Sequence, residues 1–331
     1  MLETLETYST LALFSAMLVY AMAFVFYAID LANRSGDEAP AVGRETASGE
    51  TTAGAAAGGS VTTLTRNRVG APVDEAPGPR SRALRIGFAL TVLGFLLHLA
   101  ATALRGIAAE RLPFANMYEF ALTATLSVVA IFLLVQFFVD LRFLGALVTG
   151  LAVLFLGISR VNFYVDIVPL QPALDTYWLV IHILVAVLAV GFLTLSFGLS
   201  LLQLLQTRRA ARAVSGNEGG LRFLRSFPSA TRLEDLAYRM AIIGFVFWSF
   251  TLIAGSIWAE RAWSRYWGWD TKEVWTLVIW VLYAGYIHAR ATRGWRGTRS
   301  AWLSIIAYAA VIFNYAIVNV FFKGLHAYSG L

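Results

Sequence analysis

Four histidines, His98, His182, His288 and His326, and no cysteine set the chemistry open to this chain. Without cysteine there are no thiolate metal ligands, no CxxC redox pair, no structural disulfides and no thioether to the chain itself. Each histidine lies within or just beyond an apolar segment, where ionisable groups are functional candidates by default. A second concentration of chemistry is aromatic. Residues 255–288 read GSIWAERAWSRYWGWDTKEVWTLVIWVLYAGYIH and hold six of the ten tryptophans. Trp258, Trp263, Trp267, Trp269 and Trp275 share one connection with Arg261, Arg265, Asp270, Lys272 and Glu273. Planar faces, indole N–H donors and charges therefore converge on one spot. An ordinary aromatic belt would scatter such residues around many helix ends. Their gathering in a single connection reads as a platform for a large flat ligand. Two imidazoles flanking it would suit axial ligation of a haem iron, with indoles packed on the porphyrin. Arg261, Arg265 or Lys272 could meet the propionates.

The elements that must position these residues follow from composition. The chain has 331 residues, 58 % hydrophobic and 14 % charged, with a mean hydropathy of +0.67. Its solvent is mostly lipid, and the expected fold is an all-α polytopic membrane protein. Stretches near 9–29, 83–104, 118–139, 142–158, 177–204, 238–258, 274–291 and 300–322 approach or exceed the roughly 20 apolar residues that cross a bilayer core of about 30 Å. That predicts about eight transmembrane helices. The fourth, short and broken by Gly145, Gly150 and Gly157, is the weakest of them. The first follows Glu3 and Glu6 with no lysine or arginine, which favours a retained helix over a cleaved signal. Residues 31–82 are rich in Ala, Gly, Thr, Ser and Pro and have no aromatic between 31 and 81. They read as a disordered linker between an N-terminal helix, 1–30, and a ligand-handling domain, 83–331.

Basic residues in short loops mark the cytoplasmic side. Arg208, Arg209, Arg212, Arg222, Arg225, Arg232 and Arg239 fill one loop region, and Arg290, Arg293, Arg296 and Arg299 fill another. With both inside, both termini and the tryptophan-rich loop, 258–275, face outward. The net charge of +6 needs no nucleic acid to explain it. At about 1.5 Å per residue, His182 sits roughly 8 Å below the outer edge and His288 roughly 20 Å deeper. His326 follows the last helix at the outer surface. His182 and His326 can thus meet under the tryptophan loop, and His288 cannot join them. His98 pairs with neither and reads as a structural hydrogen-bonding residue.

WSRYWGWDTKEVW from Trp263 to Trp275 resembles the "WWD" signature of membrane haem-handling proteins. YIHAR around His288, GLHAYSG around His326, WLVIHILVAV around His182 and LPFANMYEFAL from Leu112 are similar to segments of the system II cytochrome c biogenesis family called CcsA or ResC, often CcsB in actinobacteria. The resemblance covers residue 83 to the C-terminus. It implies a subunit of a holocytochrome c synthase that presents reduced haem b at the outer face for thioether attachment to the CxxCH segment of apocytochrome c. It further implies a Ccs1/ResB-type membrane partner, a thioredoxin-like reductant pathway for the acceptor thiols, and a plasma-membrane location. By resemblance His182 and His326 are the outer axial ligands, and His288 belongs to an inner haem site whose mate comes from the partner. Asn116, Tyr118 and Glu119 lie in the segment from Leu112 that also resembles the family, an amphipathic outer re-entry that we expect to form a floor to the haem or acceptor site. Ser264 stands where the family commonly has glycine, and Thr271 where it usually has proline. Thr271 keeps its N–H and leaves Asp270 free to cap the helix that follows.

Two rival readings use the same residues. A b-type cytochrome electron-transfer subunit would need ligand pairs at matched depth from its own helices, which four unequal depths disfavour. A small-molecule transporter predicts charges near the midplane and broken helices, and the helix interiors are nearly free of Asp, Glu, Lys and Arg.

Overall fold

Each apolar stretch folds as a helix, because peptide groups out of reach of water must pair within their own segment. The computed structural model describes residues 2–36, 81–168, 176–215, 219–292, 294–322 and 324–325. Among them the long helices are α1 (Leu2–Gly36), α2 (Arg82–Ala108), α3 (Met117–Val135), α4 (Gly145–Asn162), α5 (Tyr177–Val214), α6 (Ala230–Trp263), α7 (Thr271–Ala291) and α8 (Thr298–Phe313). The architecture is all-α.

Seven of these helices are long and apolar enough to cross a membrane. The glycine-rich fourth is one of them, extended by the short turn Arg142–Leu144. The exception is α7, which carries Lys272, Glu273, His288 and Arg290 at its ends. These residues shorten its continuous apolar stretch. Its 21 residues nonetheless span about 31 Å, enough for a bilayer core.

Contacts at the two ends of the bundle fix the helix directions. At one end the starts of α1 and α3 meet the end of α2 through Glu6, Glu119 and Arg105. His182 early in α5 meets Thr251 late in α6, and Lys272 early in α7 meets Asn314, just past α8. At the other end Ser81 caps α2 and bonds Asp30 of α1. There Arg290 of α7 pairs with Glu234 of α6 at 2.6 Å, whose carboxylate also accepts the Gly297 N–H at the start of α8. The helices thus alternate up and down. The arginine-rich segments lie at this second end, where α5, 38 residues long, runs past the roughly 20 residues that a bilayer core needs.

The hydrophobic core has three main parts. One joins α1 to α6 through residues such as Leu13, Tyr20, Phe132, Leu156 and Leu195. A second joins α5 to α8 around Leu193, Trp248, Ile279 and Tyr283. The third, Leu179, Ile183, Val187, Ala124 and Trp258, lies beneath the tryptophan-rich connection. α1 reaches Gly36, six residues past the expected boundary at 30, with Arg34 paired to Asp30 at 2.9 Å. It packs into the bundle, with Ser9 Oγ donating to the Ala101 carbonyl at 2.8 Å. The rest of the expected linker, residues 37–80, lies outside the described residues.

Candidate functional site

The tryptophan-rich connection is shorter than its sequence suggests. α6 continues through Trp258 to Trp263 and ends where Ser264 turns into the left-handed region at φ 55°, its N–H donating to the Glu260 carbonyl. α7 begins at Thr271 with Asp270 as its N-cap. The expected cap therefore forms, and as half of a capping box. Glu273 reaches back to accept the Asp270 N–H at 3.1 Å and the Gly268 N–H at 2.8 Å. One carboxylate thus folds the loop 264–270 onto the helix it precedes.

Beneath this loop lies a cavity of about 250 Å³ walled by α3, α4, α5, α6, α7 and α8. Its lining is largely apolar, and its polar members include His182, Lys272, Glu273, Asn116, Asn314 and Asn319. His182 is held on three sides. Its Nδ1 lies 2.9 Å from the Thr251 carbonyl oxygen. A carbonyl can only accept, so Nδ1 carries the proton and Nε2 carries the lone pair. Its ring lies nearly parallel to that of Trp258, at 13° and 5.9 Å between centroids. Trp258, 2 % exposed, is in turn met edge-on by Trp263 at 4.8 Å. The third constraint is Gly255, where a Cβ would lie 2.7 Å from His182 Cε1. Only a glycine lets the imidazole come this close to α6. Thr251, Gly255 and Trp258 follow the i, i+4, i+7 spacing of one helix face. That pattern was legible in the sequence, but nothing there said which histidine it faced.

The tryptophans separate in role. Trp258 and Trp267 line the cavity, and Trp263 supports Trp258. Trp269 is 74 % exposed, with a positive φ of 58°, and meets Trp267 edge-on at 5.9 Å. Trp275 does not line the cavity. It packs on Phe313 at 4.3 Å in the α7–α8 core, because its place one turn into α7 faces α8. Of the three cations expected near the propionates, Arg261 is exposed and beside Glu260. Arg265 lays its guanidinium directly over Gly268. Lys272 lines the cavity and donates to the Asn314 carbonyl at 3.0 Å and to Asn319 Oδ1 at 2.7 Å. The Asn314 carbonyl lies in a π-helical stretch, Asn314–Val318, a distortion frequent at functional sites. Lys272 precedes the apolar part of α7.

The segment from Leu112 divides between two tasks. Phe114, Asn116, Met117 and Phe120 line the cavity. Asn116 also caps α3, accepting the Glu119 N–H at 2.9 Å. Phe120 stacks on Tyr315 at 5.6 Å, and the Tyr315 hydroxyl donates to the Met117 carbonyl, so α3 is joined to the π-helical stretch. Tyr118 and Glu119 turn away from the cavity. Glu119, fully buried, pairs with Arg105 at 3.2 Å and Arg111 at 2.6 Å. Arg105 also donates to Glu6 and to the Val165 carbonyl, and lies over the Tyr118 ring at 5.4 Å. These charges brace the cavity end of the bundle rather than form its floor.

His98 is fully buried, faces Tyr20 at 3.5 Å and does not line the cavity. His288 is exposed on α7, 17 residues after Thr271 and so about 26 Å along the helix. The two cannot serve one site with His182. His326 lies outside the described residues. Thr251, Gly255, Asn314, Asn319 and Arg105 are the positions that sequence reasoning missed. Buried polar residues in apolar segments were the available signal.

A family model described as cytochrome C assembly protein matches residues 114–326, from Phe114 in the cavity wall to His326. The chain is 30 % identical over 259 residues to the cytochrome c biogenesis protein CcsA of Guillardia theta, covering 74 % of this chain and 86 % of that one. To the CcsA of Synechococcus elongatus it is 32 % identical over 282 residues, covering 73 % and 87 %. To that of a Synechocystis species it is 30 % identical over 287 residues, covering 70 % and 85 %.

Proposed function

The chain belongs to the cytochrome c assembly protein family, with relatives of the CcsA type, and from that membership we propose that it holds reduced haem b beneath the tryptophan loop for attachment to apocytochrome c. In this reading haem is the substrate. The carrying observation is His182, which lines a largely apolar cavity with its Nδ1–H held by the Thr251 carbonyl, so that Nε2 is the ring nitrogen with the chemistry of a metal ligand. Metal-binding imidazoles are held in the same way, by a hydrogen bond from the ring N–H that does not face the metal. Trp258 fixes the ring plane and Trp267 adds a flat wall.

His326 is the second axial ligand in this proposal, and His288 belongs to an inner site completed by a Ccs1/ResB-type membrane subunit. All eight helices cross the plasma membrane, with both termini and the tryptophan loop outside. The loop between α5 and α6 and the turn between α7 and α8, both arginine-rich, supply the inner charge. Two acceptor thiols add across the two vinyl groups, each S–H giving one C–S and one C–H bond, while a thioredoxin-like pathway keeps the thiols reduced. This chain has no cysteine, so its contribution is orientation: it places the porphyrin, excludes water and yields one iron ligand to the acceptor histidine.

The test is the absorption and pyridine haemochrome spectrum of the chain with its membrane partner, comparing wild type with His182→Ala. A bis-histidine b-type spectrum that is altered in the variant and partly restored by imidazole is the expected result. An unchanged spectrum would remove His182 as a ligand. The same comparison with His288→Ala is expected to lower haem loading of the outer site.

A further inference from the structure

Asp270 uses its two carboxylate oxygens for different purposes. Oδ2 accepts the Lys272 N–H at 3.3 Å and caps α7. Oδ1 accepts the Leu325 N–H at 3.2 Å, 55 residues away in sequence. The approach is close on the other side too: a Cβ added to Gly324 would lie 2.1 Å from Asp270 Oδ1, so only glycine lets the chain pass against the carboxylate. A gap of only about 10 Å³ remains between the two segments, lined in part by Asp270, Asn319, Phe322 and Gly324. Two residues further along α7, Lys272 grips the same C-terminal arm at Asn314 and Asn319. The arm is therefore held at two levels by the junction of loop and α7.

A helix cap alone does not require aspartate. Serine and asparagine cap about as well, yet each offers a single acceptor oxygen where the carboxylate offers two. The second acceptor is what the Leu325 N–H uses.

We propose that Asp270 is a positioning residue for the C-terminal arm: its carboxylate locks Gly324–Leu325 onto the start of α7 and so constrains, through one peptide bond, the residue that follows, His326. The inference rests on the reading of His326 as an iron ligand. In it, Asp270 need not touch the porphyrin.

The experiment uses the full chain, which has no native cysteine to label unintentionally. Spin labels are attached at Tyr266→Cys and Leu325→Cys, both exposed positions, and their distance distribution is measured in wild-type, Asp270→Ser and Asp270→Asn backgrounds. A second arm follows haem spin state in the unlabelled variants assembled with the membrane partner. Expected are a narrow distribution with Asp270, a broad one in both variants, and a shift of haem iron from six-coordinate low-spin toward high-spin that added imidazole reverses. Because both variants keep a cap, far-ultraviolet circular dichroism should report unchanged helix content. A narrow distribution in both variants overturns the inference whatever the haem does. A broad distribution with an unchanged low-spin spectrum overturns the link to His326. If His326→Ala itself leaves the spectrum unchanged, the ligand reading has failed, and the distance measurement shows separately whether the clamp exists.

Discussion

Gly255→Ala sets helix propensity against the geometry of the site. In an interior turn of α6 the substitution should stabilise the helix by roughly 1 kcal/mol, because alanine leaves less backbone entropy to lose. At this position, however, the new methyl would lie 2.7 Å from His182 Cε1 and 2.9 Å from Nδ1, whereas carbon contacts settle near about 3.5–4.0 Å. The ring must retreat by roughly 1 Å. The Nδ1–H bond to Thr251, now 2.9 Å, then stretches past about 3.5 Å and is lost. Losing such an outer-shell partner typically lowers the affinity of a metal site about 10- to 100-fold, or roughly 1.4–2.7 kcal/mol. Haem titration of the purified chain with its partner, followed by absorbance, should show that loss, and the thermal midpoint should hold or rise. Affinity within about twofold of wild type would refute the argument, since the predicted loss is at least tenfold. A fall in both affinity and midpoint would mean that the methyl disrupts α6 packing generally.

Three further outcomes follow. Glu119→Gln leaves Arg105 with the carboxylate of Glu6 alone and Arg111 without its carboxylate and should destabilise the fold by about 1.5–3 kcal/mol, the usual worth of a hydrogen bond to a charged group; a thermal midpoint close to wild type would show that the brace is dispensable. Trp275→Ala should lower stability by about 1.5–3 kcal/mol through lost packing against Phe313, less than a fully buried tryptophan because Trp275 is only partly buried, while leaving the haem spectrum intact. Trp258→Ala should change that spectrum, and equal spectral effects would undo the separation of the two indoles.

Much of this protein is written in its periodicity and composition. Apolar stretches of the right length fold as helices wherever no other partner for the backbone exists, so the order and approximate bounds of α1 to α8 follow from local sequence. The Asp270 cap also follows, because a cap depends on residues within one turn. The grouping of tryptophans, the four histidines and the missing cysteines likewise point to a flat, metal-bearing ligand without any coordinates.

Only the tertiary structure decided which of those residues work together. It turned Tyr118 and Glu119 toward Arg105 and away from the cavity, sent Trp275 into the α7–α8 core, and engaged Lys272 with Asn314 and Asn319. It brought Gly255 and Thr251 to His182, about 70 residues away, and Asp270 to Leu325. Side-chain facing depends on helix rotation, and pairing across the bundle depends on which helix ends become neighbours. Both are set by close packing summed over the whole bundle, which no local window of sequence contains.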